Sequence, residues 1–508
     1  MIVPFIMSLS VQDDALYTWY FYKFLDEAKK YGWPMIAQEI YFTKPSVFAA
    51  EGRWETSDTP TGDANRKRFE FERPEDADLK KIQPYMIPTE LDDQLIKEKG
   101  TRNAAYCYIL KERWGKLEEL LCSFIEDIQA KNTEKIDAIC TLCHYPSLSA
   151  VAEKYQIPVY HMEMGPLREP CYFIRTAYFD RNNLFGAAST EERYQSFCED
   201  IKKNPVPILT ADEILALMLK KERLPYLSLR PMKPPYKMGV ALGAAYWPIF
   251  NCKESMLDSE LLYQVRKRIP MERVLLRKHP GDFYKAQYAA YGKYMDKSAN
   301  PVEFIIQCKK VCTLSSNVAV EAMLWGKEIY ILFDCPASCA AHRTLDSTQT
   351  NVKVDDTFLS FFVFSYLIPY CFMTDQVYIQ WRNTNPPEHE IYNKHLYFYL
   401  EQKGLSSKIL EYKGKQRLIK MMELQGLDLT TEGHNLADQM NFRIKEDFWS
   451  TEEKDLAELK NGYDKLMHQY RDLNEKMMTL QLHYNEVMKS KAWKLIALYR
   501  KLRQVLKI

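Results

Sequence analysis

Hydrophobic residues fall into short continuous runs and into helical spacings along the first third of the chain. The runs at 1–11, 136–141 and 157–161 are bounded by polar residues, which predicts three buried strands. Apolar residues at every third or fourth position predict helices over 102–131 and 147–155. The second helix lies between two of the runs, so it forms a β-α-β unit with them.

The pattern changes twice after the first strand. Residues 35–100 are rich in proline, threonine and charged residues, and we expect a long excursion from the core there. A proline-rich connector at 229–237 divides 1–228 from 238–445. Strand and helix patterns then alternate again, at 238–242, 257–268, 274–277, 311–314 and 329–333.

Two consecutive halves of this kind predict an α/β protein with two facing Rossmann-like domains and a cleft between them. Among glycosyltransferases this layout is called GT-B. Many two-domain α/β enzymes share it, so the pattern predicts the fold class and leaves the activity open.

The C-terminal part of the chain has the most regular pattern. Apolar residues alternate spacings of three and four over 456–487, which predicts a coiled coil at 450–488 and self-association through it. A single amphipathic helix packed on the body is the alternative. Residues 489–508 carry seven basic residues and no acid beside an apolar face that includes Trp493. This predicts a basic amphipathic helix on an anionic membrane surface, with docking to a partner protein as the alternative.

Composition narrows the class of protein. The length of 508 residues suggests roughly two to four domains, and the run at 1–11 is too short to span a bilayer. A net charge of +1 argues against a nucleic-acid-binding protein. Twelve scattered cysteines are typical of reduced thiols in a cytosolic protein. Residues 140–144 match a haem-attachment pattern, but they follow a predicted strand without an export signal, so we interpret them as a loop.

Three short segments follow predicted strands and can be interpreted as one site. They are Glu163-Met164-Gly165, His279-Pro280 and Ser315-Ser316. Open α/β sheets bind their ligands where strands end. A carboxylate can exchange a proton there, and the other two segments can hold phosphate, which fits transfer of a sugar from a nucleotide.

The His279 segment offers three cationic groups in a row. His279 would hydrogen-bond a phosphate or the leaving oxygen, while Arg277 or Lys278 offsets charge. Pro280, the second residue of the His-Pro pair, would belong to the same nucleotide-binding segment. The alternative is a polar loop whose basic residues face solvent.

The Ser315 segment opens a predicted helix. Ser315, Ser316 and the amides from Asn317 onward would present donors to an anion, and Glu321 would accept from a ribose hydroxyl. The alternative is that Ser316 is an ordinary helix N-cap.

The Glu163 segment supplies the carboxylate. Glu163 beside Gly165 is placed for acid/base catalysis, and Arg168 would anchor a sugar carboxylate. Asp180 adds a second carboxylate for the substrate. The alternative is a Glu–Arg ion pair that stabilises a turn. Since no Asp-x-Asp pattern lies at a strand end, we expect neither a divalent metal nor another cofactor.

An acidic residue beside glycine, then His-Pro, then Ser-Ser resembles the motif set of bacterial transferases that use CMP-activated sugar acids. The chain is most similar to the retaining β-Kdo transferases of O-antigen and capsule synthesis. Four further segments carry this resemblance, at 161–170, 176–180, 361–369 and 386–395. The resemblance covers about residues 1–405. It implies CMP-Kdo as donor, acid/base catalysis by Glu163, and CMP held by His279, Ser315 and Ser316.

The chain departs from that group at one point. The resemblance implies an Asp nucleophile after the first strand of the second domain, but 242–251 contains no carboxylate and the next is Glu254. The chain would then use another carboxylate, act by a single inverting displacement with Glu163 as base, take a different donor, or be inactive.

The sequence thus predicts a glycosyltransferase on the cytoplasmic face of the cell membrane. The domain 1–228 would face the acceptor, through a loop from 35–100, and 238–445 would bind the nucleotide sugar. The acceptor would be a surface polysaccharide or a lipid-linked glycan. The alternatives are a transferase for another nucleotide sugar and an inactive scaffold that binds nucleotide sugars.

Overall fold

The computed structural model describes residues 1–7, 15–43, 69–72, 75–230, 233–243, 256–279, 291–346 and 354–426. The predicted coiled coil at 450–488, the basic helix at 489–508 and Pro280 lie outside these residues. All the elements below belong to one compact unit, Met1–Tyr284 with Lys293–Asp438. Within the described residues, no helix is long and apolar enough to cross a membrane.

The first sheet has seven strands among the described residues. They are β1 (Ile2–Ile6), β2 (Pro34–Gln38), β3 (Gln83–Ile87), β4 (Ala138–Thr141), β5 (Val159–Met164), β6 (Thr176–Asp180) and β11 (Leu367–Pro369). Their order is β11-β6-β5-β4-β1-β2-β3. The strands from β5 to β3 run parallel, while β6 and β11 are antiparallel to their neighbours. Parallel strands place their carboxyl ends at one edge, and Glu163 lies near that edge.

The second sheet has four parallel strands in the described residues. They are β7 (Met238–Ala241), β8 (Val274–Arg277), β9 (Lys310–Thr313) and β10 (Glu328–Ile331), in the order β10-β9-β7-β8. We call the first sheet with its helices the first lobe, and the second sheet with its helices the second lobe. The predicted α/β class is confirmed.

Helices cover the sheets because each buries one apolar stripe. The α-helices between β1 and β7 are Ala15–Tyr31, Glu39–Thr43, Thr89–Lys99, Arg102–Lys111, Gly115–Lys131, Pro146–Lys154, Thr190–Lys203 and Ala211–Met218. Those of the second lobe are Asp258–Arg266, Pro301–Ile306 and Val318–Leu324. The remaining α-helices are Asp356–Phe361, Gln376–Asn383, Glu388–Gln402 and Lys415–Leu424.

Shorter helical turns join these elements. The 3₁₀ segments are Asp76–Lys81, Lys221–Leu229, Met271–Arg273, Ser338–Ala340, Tyr370–Met373 and Ser407–Glu411, and Phe362–Tyr366 forms a π-helix.

Three predicted elements differ from the structure. The excursion at 35–100 holds β2, β3 and two α-helices, so part of it belongs to the core. The helix at 102–131 breaks at Trp114, whose side chain is buried and whose backbone N–H donates to Ser147 Oγ at 2.7 Å. The strand at 157–161 extends to Met164, which places Glu163 inside it.

The chain returns to the first lobe after the second sheet. The apolar run at 358–373 forms a helix that passes through the π-helix into β11, and β11 pairs with β6. Arg193 and Glu388 then form a half-buried ion pair at 2.7 Å between two helices of the first lobe. Residues 354–426 therefore complete the first lobe, although the sequence placed them with 238–445. The physical reason is that β6 would otherwise leave an unpaired strand edge.

Candidate functional site

Glu163 lies in the interior of the first sheet near its carboxyl edge. It is opposite Tyr178 in the β5–β6 register, and its Oε1 accepts from the backbone N–H of Met164 at 2.9 Å. The side chain is half-buried. Burial raises the pKa of Glu163, while the Met164 N–H and the nearby charge of Arg168 lower it in part. A carboxyl with a raised pKa is suited to accept or donate a proton near neutral pH.

Gly165, two residues after Glu163, packs closely against Thr176 of β6. Its backbone N–H donates to the carbonyl oxygen of Thr176 at 2.8 Å. The Thr176 hydroxyl is within 3.2 Å of both the N–H and the carbonyl oxygen of Leu167. A Cβ atom on Gly165 would come within 2.6 Å of the Thr176 carbonyl carbon. Glycine is therefore required here by close packing of two backbones.

We expect Gly165→Ala to lower the free energy of unfolding by about 1–3 kcal/mol or more, because Thr176 backbone atoms cannot move aside as a side chain could. Denaturant titration measures this change. Gly115→Ala is the matched control, since no atom lies within 4 Å of the added Cβ there. A Gly165→Ala protein as stable as the Gly115→Ala protein would contradict the packing argument.

The Ser315 segment comes into direct contact with the Glu163 segment. Asn317 Nδ2 donates to the carbonyl oxygen of Met164 at 3.2 Å, and Asn317 Oδ1 accepts from Tyr178 Oη at 2.8 Å. Two of the three predicted segments thus lie together in the structure, through a contact between residues 153 apart in sequence. Both partners of Asn317 are direct neighbours of Glu163.

The two serines are half-buried at the start of a short helix. Ser316 Oγ accepts from the Val318 N–H at 3.3 Å, and the Ser316 N–H donates to Thr313 Oγ1 at 3.1 Å. The capping role proposed as the alternative for Ser316 is thus present. The helix Val318–Leu324 has only seven residues. A donor role for Ser315 and Ser316 therefore depends on their hydroxyls more than on this helix end.

Glu321 is buried, with 5% of its surface exposed. Burial raises its pKa to about 7, and the charges of Arg168 and Arg277 and the Tyr172 hydroxyl oppose that rise. A contact with a ribose hydroxyl was predicted for Glu321, but this degree of burial leaves little of the carboxyl open to a ligand. Its place instead is between the lobes, beside Tyr172 of the first lobe.

Arg168 is a half-buried cation near two carboxyl groups. Its charge lowers the pKa of both Glu163 and Glu321. Its guanidinium forms no ion pair or hydrogen bond with the residues that the structure describes. The Glu–Arg ion pair considered as an alternative is thus absent from this part of the chain, and Arg168 remains open to an anionic ligand.

The His279 segment follows β8 at the same edge of the second sheet as the Ser315 segment. Because β7 separates β8 from β9, the two strand ends are about 10 Å apart. Lys278 is exposed and His279 is half-buried. Arg277 forms an ion pair with the buried Asp296, so its charge is already partly neutralised. His279 and Lys278 stay candidates for phosphate binding.

The carboxylate of Asp180 accepts several internal hydrogen bonds at the end of β6. It is 2% exposed, and its carboxylate accepts from the Ser189 backbone N–H, the Ser189 hydroxyl, the Asn182 N–H and the Tyr366 hydroxyl at 2.7–2.9 Å. A substrate contact was predicted for Asp180. Four donors already occupy its oxygens, so in this structure Asp180 makes internal contacts, and a substrate contact stays a prediction.

Two residues near the site were not predicted from the sequence. Tyr178, opposite Glu163, is 4% exposed and bonds to the second lobe. Asp258 is buried, and its Oδ2 accepts from the Gly243 N–H at 3.0 Å just after β7. Asp258 is a carboxylate after the first strand of the second lobe, later in sequence than the 242–251 stretch. Most of that stretch and Glu254 lie outside the described residues.

No group of three His, Cys, Asp or Glu side chains that could hold a metal ion occurs within the described part of the chain. His144 and His161 approach at 3.4 Å between Nδ1 and Nε2, where the haem-like pattern ends. Metal independence stays a prediction.

Residues 5–189 match the model of the Glycosyltransferase 99 family N-terminal domain. The matched stretch runs from the end of β1 through β6 and includes Glu163, so the similarity to a glycosyltransferase family falls in the first lobe. The predicted relationship to glycosyltransferases is confirmed at that level. No curated protein matches the chain.

Three solved structures show a distant likeness. The β-Kdo 2,7-transferase of Thermosulfurimonas dismutans KpsC is 15% identical, with 54% of this chain and 98% of that chain covered, at a TM-score of 0.29. The β-Kdo 2,4-transferase of the same KpsC is 13% identical, with coverage of 45% and 80% and a TM-score of 0.27. The UDP-GlcNAc 2-epimerase of Methanocaldococcus jannaschii is 13% identical, with coverage of 65% and 84% and a TM-score of 0.26.

Proposed function

We propose that this protein transfers a Kdo-type sugar acid from a CMP-activated donor to a growing surface polysaccharide or lipid-linked glycan. The contact of Asn317 with the neighbours of Glu163 carries the proposal, because it brings the acidic segment of one lobe to the Ser-Ser segment of the other. The glycosyltransferase family domain at 5–189 supports the reaction class.

The charge of the site supports an anionic donor. Arg168 is open to a ligand carboxylate or phosphate, while Lys278 and His279 lie at the carboxyl end of β8. A CMP-activated sugar acid carries both anions, one on the sugar and one on the phosphodiester. In our proposal Arg168 binds the sugar carboxylate, and His279, Ser315 and Ser316 bind the phosphate.

In a single displacement the acceptor hydroxyl attacks the anomeric carbon as Glu163 takes its proton. The bond from that carbon to the phosphate oxygen breaks, and CMP leaves with the electron pair. A double displacement would require a second carboxylate as nucleophile. Asp258 is a carboxylate that the structure describes near the end of β7, so both stereochemical courses stay open.

The sequence of residues 456–508 supports activity at a membrane surface. The seven basic residues of 489–508 would attract anionic lipid on the cytoplasmic face, and 456–487 would join copies of the chain. A lipid-linked acceptor fits this placement.

CMP release by the purified full-length protein tests the proposal. We expect release from CMP-Kdo, unchanged by EDTA, and a loss of about tenfold or more in His279→Ala, since one hydrogen bond to a charged group is removed. CMP-sialic acid and UDP-sugars are the comparison donors. Release from UDP-sugars alone would refute the CMP donor and keep a glycosyltransferase. Binding of CMP without turnover, even with acceptor glycan present, would favour the inactive scaffold suggested by the missing Asp.

A further inference from the structure

Asn317 joins the two lobes at two neighbours of Glu163, one that follows it in β5 and one that lies opposite it on β6. Its Nδ2 donates at 3.2 Å to the carbonyl oxygen of Met164, the residue after Glu163 in β5. Its Oδ1 accepts at 2.8 Å from Tyr178 Oη, and Tyr178 is the partner of Glu163 across β5 and β6. A single amide side chain therefore holds both neighbours of the carboxylate.

We propose that Asn317 is a positioning residue that keeps Ser315 and Ser316 in register with Glu163, and not a ligand of the nucleotide as the sequence suggested. This inference rests on the proposed function, whose donor and acid/base groups it aligns. Asn317 directly follows Ser316, so a shift of the amide moves the serine hydroxyls with it.

The hydrogen bonds that Asn317 makes favour a positioning role. A primary amide has one oxygen and one NH₂ group, and the protein uses both of these groups. Tyr178 is 4% exposed, so its hydroxyl requires an internal partner, and Asn317 supplies that partner only while the lobes are in contact. The contact between the lobes thus gives the buried Tyr178 hydroxyl of the first lobe its hydrogen-bond acceptor.

The same contact controls the surroundings of Glu163. Burial is the main cause of the raised pKa of Glu163, and Asn317 binds the two residues that adjoin it, Met164 along β5 and Tyr178 across from it on β6. Releasing the contact admits water, which returns the carboxyl toward its ordinary pKa. The pH profile therefore reports positioning separately from global stability.

Two variants test the positioning role of Asn317 by removing different hydrogen-bonding groups. Tyr178→Phe removes only the hydroxyl, and Asn317→Ala removes both bonds. In each we expect kcat for CMP release to fall about tenfold to hundredfold with a smaller change in donor KM, as for loss of alignment. We also expect the limb of the pH–rate profile that belongs to Glu163 to move to lower pH.

Controls remove comparable groups elsewhere. Tyr226→Phe removes a hydroxyl that donates to Glu303 of the second lobe at 2.7 Å, and Asn204→Ala removes an exposed amide. We expect kcat and the pH limb to stay at wild-type values in both. Hydrogen exchange of the peptide 159–180 gives a readout independent of turnover, and it should become faster in the two test variants only.

Three results would overturn the inference. The first is wild-type kcat, pH limb and exchange in Asn317→Ala. The second is an equal effect of Tyr226→Phe, which would indicate general loosening of the lobes. The third is a rise in donor KM at constant kcat in Asn317→Ala alone, which would make Asn317 a donor ligand. If the wild-type protein releases nucleotide from no donor, the proposed function fails, and the exchange measurement still decides the contact.

Discussion

Glu163→Gln is expected to reduce CMP release in the presence of acceptor by about 10²- to 10⁴-fold, the usual contribution of a general acid or base. Glutamine has the same size as glutamate. Its amide oxygen can still accept the hydrogen bond that the Met164 N–H donates to Glu163 Oε1 at 2.9 Å. Only proton transfer is lost, so donor KM and stability should change little. Steady-state kinetics with CMP-Kdo measure both parameters.

The matched control is Glu153→Gln, an exposed glutamate at the end of the helix Pro146–Lys154. It carries the same chemical change without a contact to the site, so its kcat should equal the wild-type value. A Glu163→Gln protein with near-wild-type kcat would contradict acid/base catalysis by this residue. The catalytic carboxyl would then be sought at Asp258, the carboxylate after β7.

The pH dependence of kcat/KM gives a second test of Glu163, because a general base and a general acid predict changes in opposite directions. Burial raises the pKa of Glu163 in the folded protein, so its base form appears at higher pH than for an exposed glutamate. As a general base, Glu163 would make kcat/KM rise with pH through that raised pKa. As a general acid, it would make kcat/KM fall over the same range. In either case the limb disappears in Glu163→Gln.

Local patterns predicted much of the fold. The strands β4, β7, β8 and β9 each form a short apolar run that stands out from its flanks, and each lies where the sequence placed it within a few residues. β3 was missed because its residues alternate between exposed and buried and include Pro84, as is usual at a sheet edge. β11 was missed as a strand of the first sheet because its partner β6 lies about 190 residues earlier.

The sequence identified the segments of the candidate site, but it predicted only part of the contacts that their residues make. Spacing indicated that Glu163 and Ser316 meet, but the bond from Tyr178 to Asn317 joins residues 139 apart and leaves no local pattern. Asp180 was interpreted as a ligand because it is a further carboxylate close in sequence to the Glu163 segment, and Glu321 because it lies one turn into the helix after the serines. The contacts of Asp180 include a distant partner, Tyr366, which the sequence does not reveal.

Arg168→Gln is expected to raise the KM for CMP-Kdo by about 10- to 100-fold. A hydrogen bond to a charged group contributes about 1.5–3 kcal/mol, and each 1.4 kcal/mol is a factor of ten in affinity. The guanidinium makes no ion pair among the described residues, so its removal breaks no internal contact there and stability should hold. Its charge also lowers the pKa of Glu163, so the Glu163 limb should move to higher pH in this variant.

Inhibition by CMP separates the two anions that Arg168 could bind. CMP has a phosphate but no sugar carboxylate, so contact with the carboxylate predicts a raised donor KM with an unchanged inhibition constant for CMP. A parallel rise in both would place Arg168 on the phosphate. Arg343→Gln, which removes an exposed ion pair with Asp334, is the control and should alter neither. If Arg168→Gln keeps the donor KM of the wild type, an anion site at Arg168 is refuted, and the case for a sugar-acid donor loses its main structural support.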